Sequence, residues 1–119
     1  MFDALHGAQV RTAALCNVND YEWARLFPEL PAVGDFPTLA RIPDRFGSHL
    51  LGLAKPDPRI YREVERGTGC AGETILFFDD RAENVEAARA CGWTAEVIDH
   101  TGDTAGQMLG HLRRHGVVE

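Results

Sequence analysis

Cysteine is scarce in this 119-residue chain, and its three copies, Cys16, Cys70 and Cys91, lie far apart with no Cys-x-x-Cys among them. An odd and scattered set argues against a disulfide framework and against a zinc knuckle, and fits a reducing compartment such as the cytoplasm. Long apolar runs are missing as well. Stretches such as Thr74–Phe78 stop after five residues, far short of the ~20 that span a bilayer. Positive charge is in deficit, with 12 Lys and Arg against 18 Asp and Glu and a net charge of −6, opposite in sign to a phosphate-backbone binder. The opening Met1-Phe2-Asp3-Ala4-Leu5-His6 has neither a basic region nor a long apolar one, so no secretory signal, membrane association or nucleic-acid partner is expected. What is present, 45% hydrophobic and 25% charged residues, suits a single acidic domain over residues 1–119.

No repeat or low-complexity tract organises the chain, so its elements are read one by one. Residues 1–9 suggest the end of a helix closed near Gly7. Val10–Cys16 begins β-branched, ends apolar and stops at Asn17-Val18-Asn19-Asp20, a cluster of the kind that ends strands. Asp20 can cap a short helix through Leu26, with Tyr21, Trp23, Ala24 and Phe27 on helical spacing. Pro28, Pro31, Pro37 and Pro43, four of the six prolines, make residues 28–45 a loop with one helical turn at 38–42. His49–Leu53 is the second strand candidate. Asp57-Pro58 then starts a helix: the carboxylate accepts from free N–H groups, and proline at the first helical position forfeits nothing. That helix is expected to reach Arg66, with Ile60, Tyr61 and Val64 inward and Gly67 and Gly69 ending it. Thr74–Phe78 reads as a strand buried on both faces. A helix over 82–90 comes next, with Val85, Ala88 and Cys91 on one side. A strand over 94–98 and a last helix over 103–114, carrying Met108, Leu109 and Leu112, complete the pattern.

Alternating strands and helices predict an α/β fold, an open parallel sheet with flanking helices. Working residues of such sheets lie beyond the C-terminal ends of the strands. Three groups stand there: Cys16-Asn17, Lys55 and Asp79-Asp80. Two adjacent carboxylates at the end of a buried strand repel each other unless a cation neutralises them. Mg²⁺ suits the task, because it takes one or two carboxylates plus waters and phosphate oxygens. The pair can equally serve only as a cap for the next helix, and Lys55 alone can be a solvated loop lysine. His111 and His115, four apart on the last helix, read as surface histidines near a helix C-terminus rather than chelators. Cys70 and Cys91 read as core or helix-end residues, and Trp23 and Trp93 as packing.

Taken together these residues are more specific. Leu15-Cys16-Asn17-Val18-Asn19-Asp20, Gly52-Leu53-Ala54-Lys55-Pro56-Asp57-Pro58-Arg59-Ile60-Tyr61 and Phe77-Phe78-Asp79-Asp80-Arg81-Ala82-Glu83-Asn84-Val85 resemble the second, third and fourth motifs of the haloacid dehalogenase (HAD) superfamily of hydrolases, in that order. The resemblance implies a Rossmann-like core and a Mg²⁺-dependent phosphatase acting on a small phosphorylated metabolite. It assigns Cys16 and Asn17 to phosphate binding, with cysteine where the family has Ser or Thr. It assigns Lys55 to phosphate binding and catalysis, as the charge that neutralises nucleophile and phosphoryl group. Asp79 and Asp80 are assigned to the metal, Asp80 directly, and Asn84 to support of their loop.

Two departures from the family pattern matter. A thiol donates hydrogen bonds more weakly than a hydroxyl. More decisively, the first motif is an apolar strand ending in Asp-x-Asp, which supplies the nucleophile and the general acid, and no two aspartates here stand two positions apart. The resemblance therefore implies the C-terminal core portion of such a hydrolase, inactive alone and lacking its central first strand. Strands lie about 4.8 Å apart, so that strand would leave a slot of roughly 10 Å. Either the hydrolase is shortened or a partner strand, as in a homodimer, fills the slot. The other readings are a non-catalytic remnant serving as a binding or interaction module, a dehalogenase-like hydrolase, and a phosphorelay receiver. The receiver is disfavoured because its acidic pair precedes its lysine in the chain.

Overall fold

A computed structural model describes Leu5, residues 10–17 and residues 44–118 of the chain. The expected helix end over residues 1–9 therefore meets the structure only at Leu5, which is helical and buried. The expected helix over 20–26, the turn at 38–42 and Trp23 lie outside the described residues. The chain falls into two compact units, Thr12–Thr68 and Gly69–Glu119 together with Met1–Arg11.

In the first unit, strand β1 (Ala13–Cys16) pairs in parallel with β2 (Asp44–Gly47), with Leu15 opposite Phe46 and Cys16 opposite Gly47. β1 starts later than Val10 because the Val10 N–H is already engaged by the Leu5 carbonyl at 2.9 Å. β2 corrects the expectation of a loop through residue 45 and a strand at His49–Leu53. Ser48–Leu51 is instead a short helix, α1, closed by Gly52 at φ 67°, whose N–H bonds the Ser48 carbonyl at 3.0 Å. That left-handed backbone is open to glycine at no steric cost, and it ends the turn where a strand would have continued.

Helix α2 (Pro58–Thr68) buries Ile60, Tyr61 and Val64, the three positions expected. Full burial of such side chains stabilises by about 1.5–3 kcal/mol each. The opposite face carries ion pairs between Arg62 and Glu65 and between Arg66 and Glu63. The helix runs through Gly67 and ends at Gly69, which sits at φ 71°.

The second unit is built on β3 (Leu76–Asp79) and β4 (Thr94–Val97), paired in parallel with Phe77 opposite Ala95 and Asp79 opposite Val97. β3 begins two residues later than expected because Gly72–Thr74 forms a 3₁₀ turn. There the Thr74 hydroxyl and N–H both donate to the Ala71 carbonyl, at 2.7 and 2.9 Å. Helix α3 (Ala82–Ala90) packs on both strands and buries Val85 and Ala88 completely. Its Arg89 donates to the Ala95 carbonyl at 2.8 and 3.0 Å. Cys91 and Trp93 join this core, Trp93 edge-on to Phe77 with ring centres 5.6 Å apart. Helix α4 (Thr104–Arg114) is capped by the Asp103 carboxylate, which accepts from the Gly106 N–H. Among its expected core residues Leu112 is buried, while Met108 and Leu109 are half-buried. His111 departs from the surface reading. Its side chain is only 14% exposed, and its Nδ1 lies 2.9 Å from Glu96.

Candidate functional site

Each unit brings chemistry-bearing residues to the C-terminal end of its strands. At the tip of β1, the Asn17 side chain brackets the peptide of Lys55. Its Oδ1 accepts from the Lys55 N–H at 2.9 Å, and its Nδ2 donates to the Lys55 carbonyl at 3.0 Å. The amide thus satisfies both backbone groups of a residue 38 positions away and fixes the loop that carries the lysine. The Lys55–Pro56 peptide in that loop is cis. Cys16 ends β1 just before Asn17. Burial pushes its thiol up, and the charge of Lys55 pulls the other way without reversing the shift. A thiol held neutral is a weak donor and a poor nucleophile, so what Cys16 offers an anion is chiefly its backbone.

Beyond Lys55, Asp57 accepts from the Arg59 N–H at 3.0 Å and from the Arg59 guanidinium at 2.6–3.1 Å. These bonds hold its carboxyl down at about 2. The helix-start role read for Asp57 is thus shared with a charge clamp inside the first turn.

At the tip of β3 the two aspartates divide. Asp79 is buried, at 7% exposure, and both its oxygens are engaged: Oδ1 accepts from the Arg81 N–H at 2.9 Å and Oδ2 from the Asn84 amide at 3.2 Å. Asn84, itself buried, therefore orders the acidic loop from the first turn of α3. Asp80 points outward, its side chain 49% exposed, with Oδ2 3.6 Å from His100 Nδ1. Bonds to the turn before α3 and to the Asn84 side chain account for Asp79, without a side-chain cap on the helix itself. They do not account for Asp80, whose carboxylate is the one placed to reach a cation.

The sequence motifs pass over His100. The parallel register sets it there. The Ile98 N–H bonds the Asp79 carbonyl at 2.9 Å, so the residues just past β4 emerge beside those just past β3. Helical spacing likewise considers His111 and His115 alone, where the structure places Glu96 against both, at 2.9 and 3.7 Å.

The donor set fits a hard cation in part. Among the described residues no group of three or more His, Cys, Asp and Glu converges on a point. Mg²⁺ does not demand such a cage, since it keeps several waters and completes its shell with phosphate oxygens. One outward carboxylate beside a second that is locked by N–H donors meets that lesser requirement.

Each unit joins a parallel strand pair to helices, an α/β build of the Rossmann-like kind, one unit carrying the lysine loop and the other the carboxylate pair. A family model described as haloacid dehalogenase-like hydrolase matches residues 1–92. The chain belongs to that family. By sequence, 71 residues are 38% identical to Phosphatase MT3486 of Mycobacterium tuberculosis, covering 60% of this chain and 33% of that one. A further 49-residue match, at 35% identity, is to enolase-phosphatase E1 of Streptomyces avermitilis, covering 41% of this chain and 20% of the other.

Among solved structures, a HAD-like family hydrolase of Porphyromonas gingivalis has a TM-score of 0.75 at 25% identity, covering 94% of this chain and 56% of that one. A HAD family enzyme of Bacteroides thetaiotaomicron, a mutant in complex with magnesium and inorganic phosphate, has a TM-score of 0.71 at 22% identity, covering 86% and 53%. That second likeness is one of fold. The chain spans about half the length of these solved structures, and its sequence matches cover a third or less of the curated relatives. Among the described residues no helix is long and apolar enough to cross a membrane.

Proposed function

We propose that this chain carries the phosphate-binding, lysine and acidic parts of a Mg²⁺-dependent phosphomonoesterase for a small phosphorylated metabolite, and that these 119 residues alone do not turn it over. The observation that carries the reading is the grip of Asn17 on the Lys55 peptide. A solvated loop lysine has no need of a side chain 38 residues away to hold both its backbone groups. A lysine that must meet a phosphoryl group does need such fixing, because phosphoryl transfer is mostly positioning and charge neutralisation.

In this reading the Lys55 ammonium binds and neutralises phosphoryl oxygens, and the Cys16–Asn17 turn offers backbone N–H groups to the same anion. Asp80 holds the metal, with Asp79 and Asn84 keeping its loop in place. When bound, Mg²⁺ supplies further neutralisation of charge on the transferring group. The phosphatase names of the two curated relatives and the magnesium and phosphate of the Bacteroides enzyme support this choice. So does the acidic pair, which a metal-free dehalogenase would not require. The nucleophile is another matter. An aspartyl-phosphate route needs a carboxylate to attack phosphorus, and the sequence holds no Asp-x-Asp.

Hydrolysis of p-nitrophenyl phosphate with Mg²⁺ tests the reading. The 119-residue chain is expected to give no turnover. Joining an apolar strand ending in Asp-x-Asp upstream of Met1 is expected to create Mg²⁺-dependent release that Lys55→Ala and Asp80→Asn abolish. Robust release from the chain alone would overturn the inactivity. Release from the extended chain that survives both substitutions would overturn the site.

A further inference from the structure

We infer that His100 is a positioning residue for the metal-binding carboxylate of Asp80, an outer-sphere partner that directs one of its oxygens toward the cation. The inference rests on the reading of Asp80 as the metal carboxylate, and it adds a residue that the motifs do not contain. Three observations carry it. His100 Nδ1 faces Asp80 Oδ2 at 3.6 Å, a gap that a small side-chain rotation closes to hydrogen-bond distance. The opposition is a consequence of the fold, because the β3–β4 register places the residues after Val97 beside those after Asp79.

The loop bearing His100 is itself built. Asp99 Oδ1 accepts from both the N–H and the hydroxyl of Thr101, at 2.9 and 2.6 Å. The Gln107 side chain holds the backbone of Asp99 at both ends, accepting from its N–H at 2.8 Å and donating to its carbonyl at 3.0 Å. Hydrogen bonds on either side of His100 thus leave its backbone little freedom, and the ring is presented to Asp80 from a fixed base.

The chemistry is set by the needs of an aspartate acting as a single ligand. A carboxylate half open to water rotates, and each rotation carries its oxygens off a metal position. A donor on Oδ2 stops that rotation and leaves Oδ1 for the ion. Ligating carboxylates are commonly hydrogen-bonded in this way, and losing such a partner typically weakens metal binding 10- to 100-fold. Both partners here are exposed, 70% for His100 and 49% for Asp80, so the effect belongs at or below the low end of that range. An Nδ1 that carries hydrogen is the donor this role requires.

The test is Mn²⁺ binding, read from the electron paramagnetic resonance signal of the free ion and checked by competition with Mg²⁺. The proteins are the unaltered chain, Asp80→Ala, His100→Ala and His100→Asn, whose amide nitrogen takes the place of Nδ1. His100→Ala is expected to weaken Mn²⁺ binding about 3- to 10-fold with an unchanged melting temperature in metal-free buffer. His100→Asn is expected to restore binding to within about twofold. If Asp80→Ala abolishes binding while His100→Ala leaves it intact, the inference falls and the metal reading stands. His100→Asn binding as weakly as His100→Ala would also sink it, because the donor would not be what acts. An unaltered chain that binds no Mn²⁺, or an Asp80→Ala variant that binds it equally well, removes the metal reading and this inference together.

Discussion

Asn17 holds Lys55 by its backbone, accepting from the N–H at 2.9 Å and donating to the carbonyl at 3.0 Å. One side chain thereby performs for a loop what a neighbouring strand performs for a ladder residue. It satisfies a donor and an acceptor at once and sets the direction in which the chain leaves Lys55. The bond pair is local to the Thr12–Thr68 unit, so its contribution can be measured without reference to any substrate.

Asn17→Ala removes both bonds and is expected to cost about 1 kcal/mol, the low end for two hydrogen bonds because Asn17 is exposed. Asn17→Asp keeps the acceptor for the Lys55 N–H, loses the donor to the carbonyl, and is expected to fall between. Urea denaturation gives the stability, and hydrogen exchange at the Lys55 amide gives the local effect. Exchange there should quicken in Asn17→Ala and stay slow in Asn17→Asp. Equal exchange in the two variants would mean that the N–H bond is not what protects this loop.

The two aspartates at the tip of β3 are expected to separate cleanly. Asp79→Ala takes the acceptor from the Arg81 N–H and from the buried Asn84 amide and is expected to destabilise by about 2–3 kcal/mol, as for charge-assisted bonds in a buried site. Asp80→Ala touches a half-exposed carboxylate and should stay within about 0.5 kcal/mol of the parent. Thermal or urea unfolding in metal-free buffer checks both. Comparable losses in the two would show that Asp80 is a structural residue, which weakens its claim as the metal carboxylate.

The Asp57–Arg59 clamp predicts an acid-side pH dependence. The folded-state value of Asp57, about 2, lies below the ~3.9 of an unfolded aspartate. The folded protein therefore releases this proton more readily than the unfolded one. Its contribution is complete above about pH 4 and is lost as the pH falls toward about 2. Carboxyl chemical shifts tracked through an acid titration should give Asp57 a midpoint near the lower figure. Arg59→Ala should return it toward the ordinary aspartate range, because both the guanidinium and its charge are gone. An unmoved midpoint in Arg59→Ala would locate the cause elsewhere in the helix start.

Much of this architecture was legible because local chemistry agreed with the tertiary outcome. The helix over Ala82–Ala90 starts after the acidic pair and buries Val85 and Ala88 as its spacing requires. The helix from Pro58 places Ile60, Tyr61 and Val64 inward for the same reason. β2 was illegible because Asp44-Arg45-Phe46-Gly47 has no apolar alternation. Its extended state comes from pairing with β1, a long-range interaction that overrides local preference. Leu50, Leu51 and Leu53 looked like a strand because a short apolar run fits either state, and Gly52 in its left-handed conformation decided for a helical turn. At the site, Cys16, Asn17, Lys55, Asp79, Asp80 and Asn84 were all nameable from motif strings. The support that Asn84 gives the acidic loop was nameable too, and takes the form of a bond to Asp79. That Asn17 acts on Lys55 was not, because the partners are 38 residues apart. His100 was hidden because only the strand register brings it beside Asp80.

Gly67 is the last position at which local preference and packing disagree, and there packing should win. It lies inside α2, where alanine is favoured over glycine by about 1 kcal/mol. A Cβ added there, however, would come to 2.6 and 2.9 Å from Cε1 and Cζ of Phe46, well inside van der Waals contact. Phe46 belongs to β2 and pairs with Leu15, so its backbone is held and its half-buried ring must turn aside to make room. Overpacking of this kind costs about 1–3 kcal/mol, which outweighs the helix gain, and Gly67→Ala is expected to destabilise by about 1 kcal/mol net. The double variant Gly67→Ala with Phe46→Leu removes the clash, so the alanine penalty should vanish against the Phe46→Leu background. If Gly67→Ala destabilises both backgrounds equally in urea denaturation, the close approach to Phe46 is not its cause.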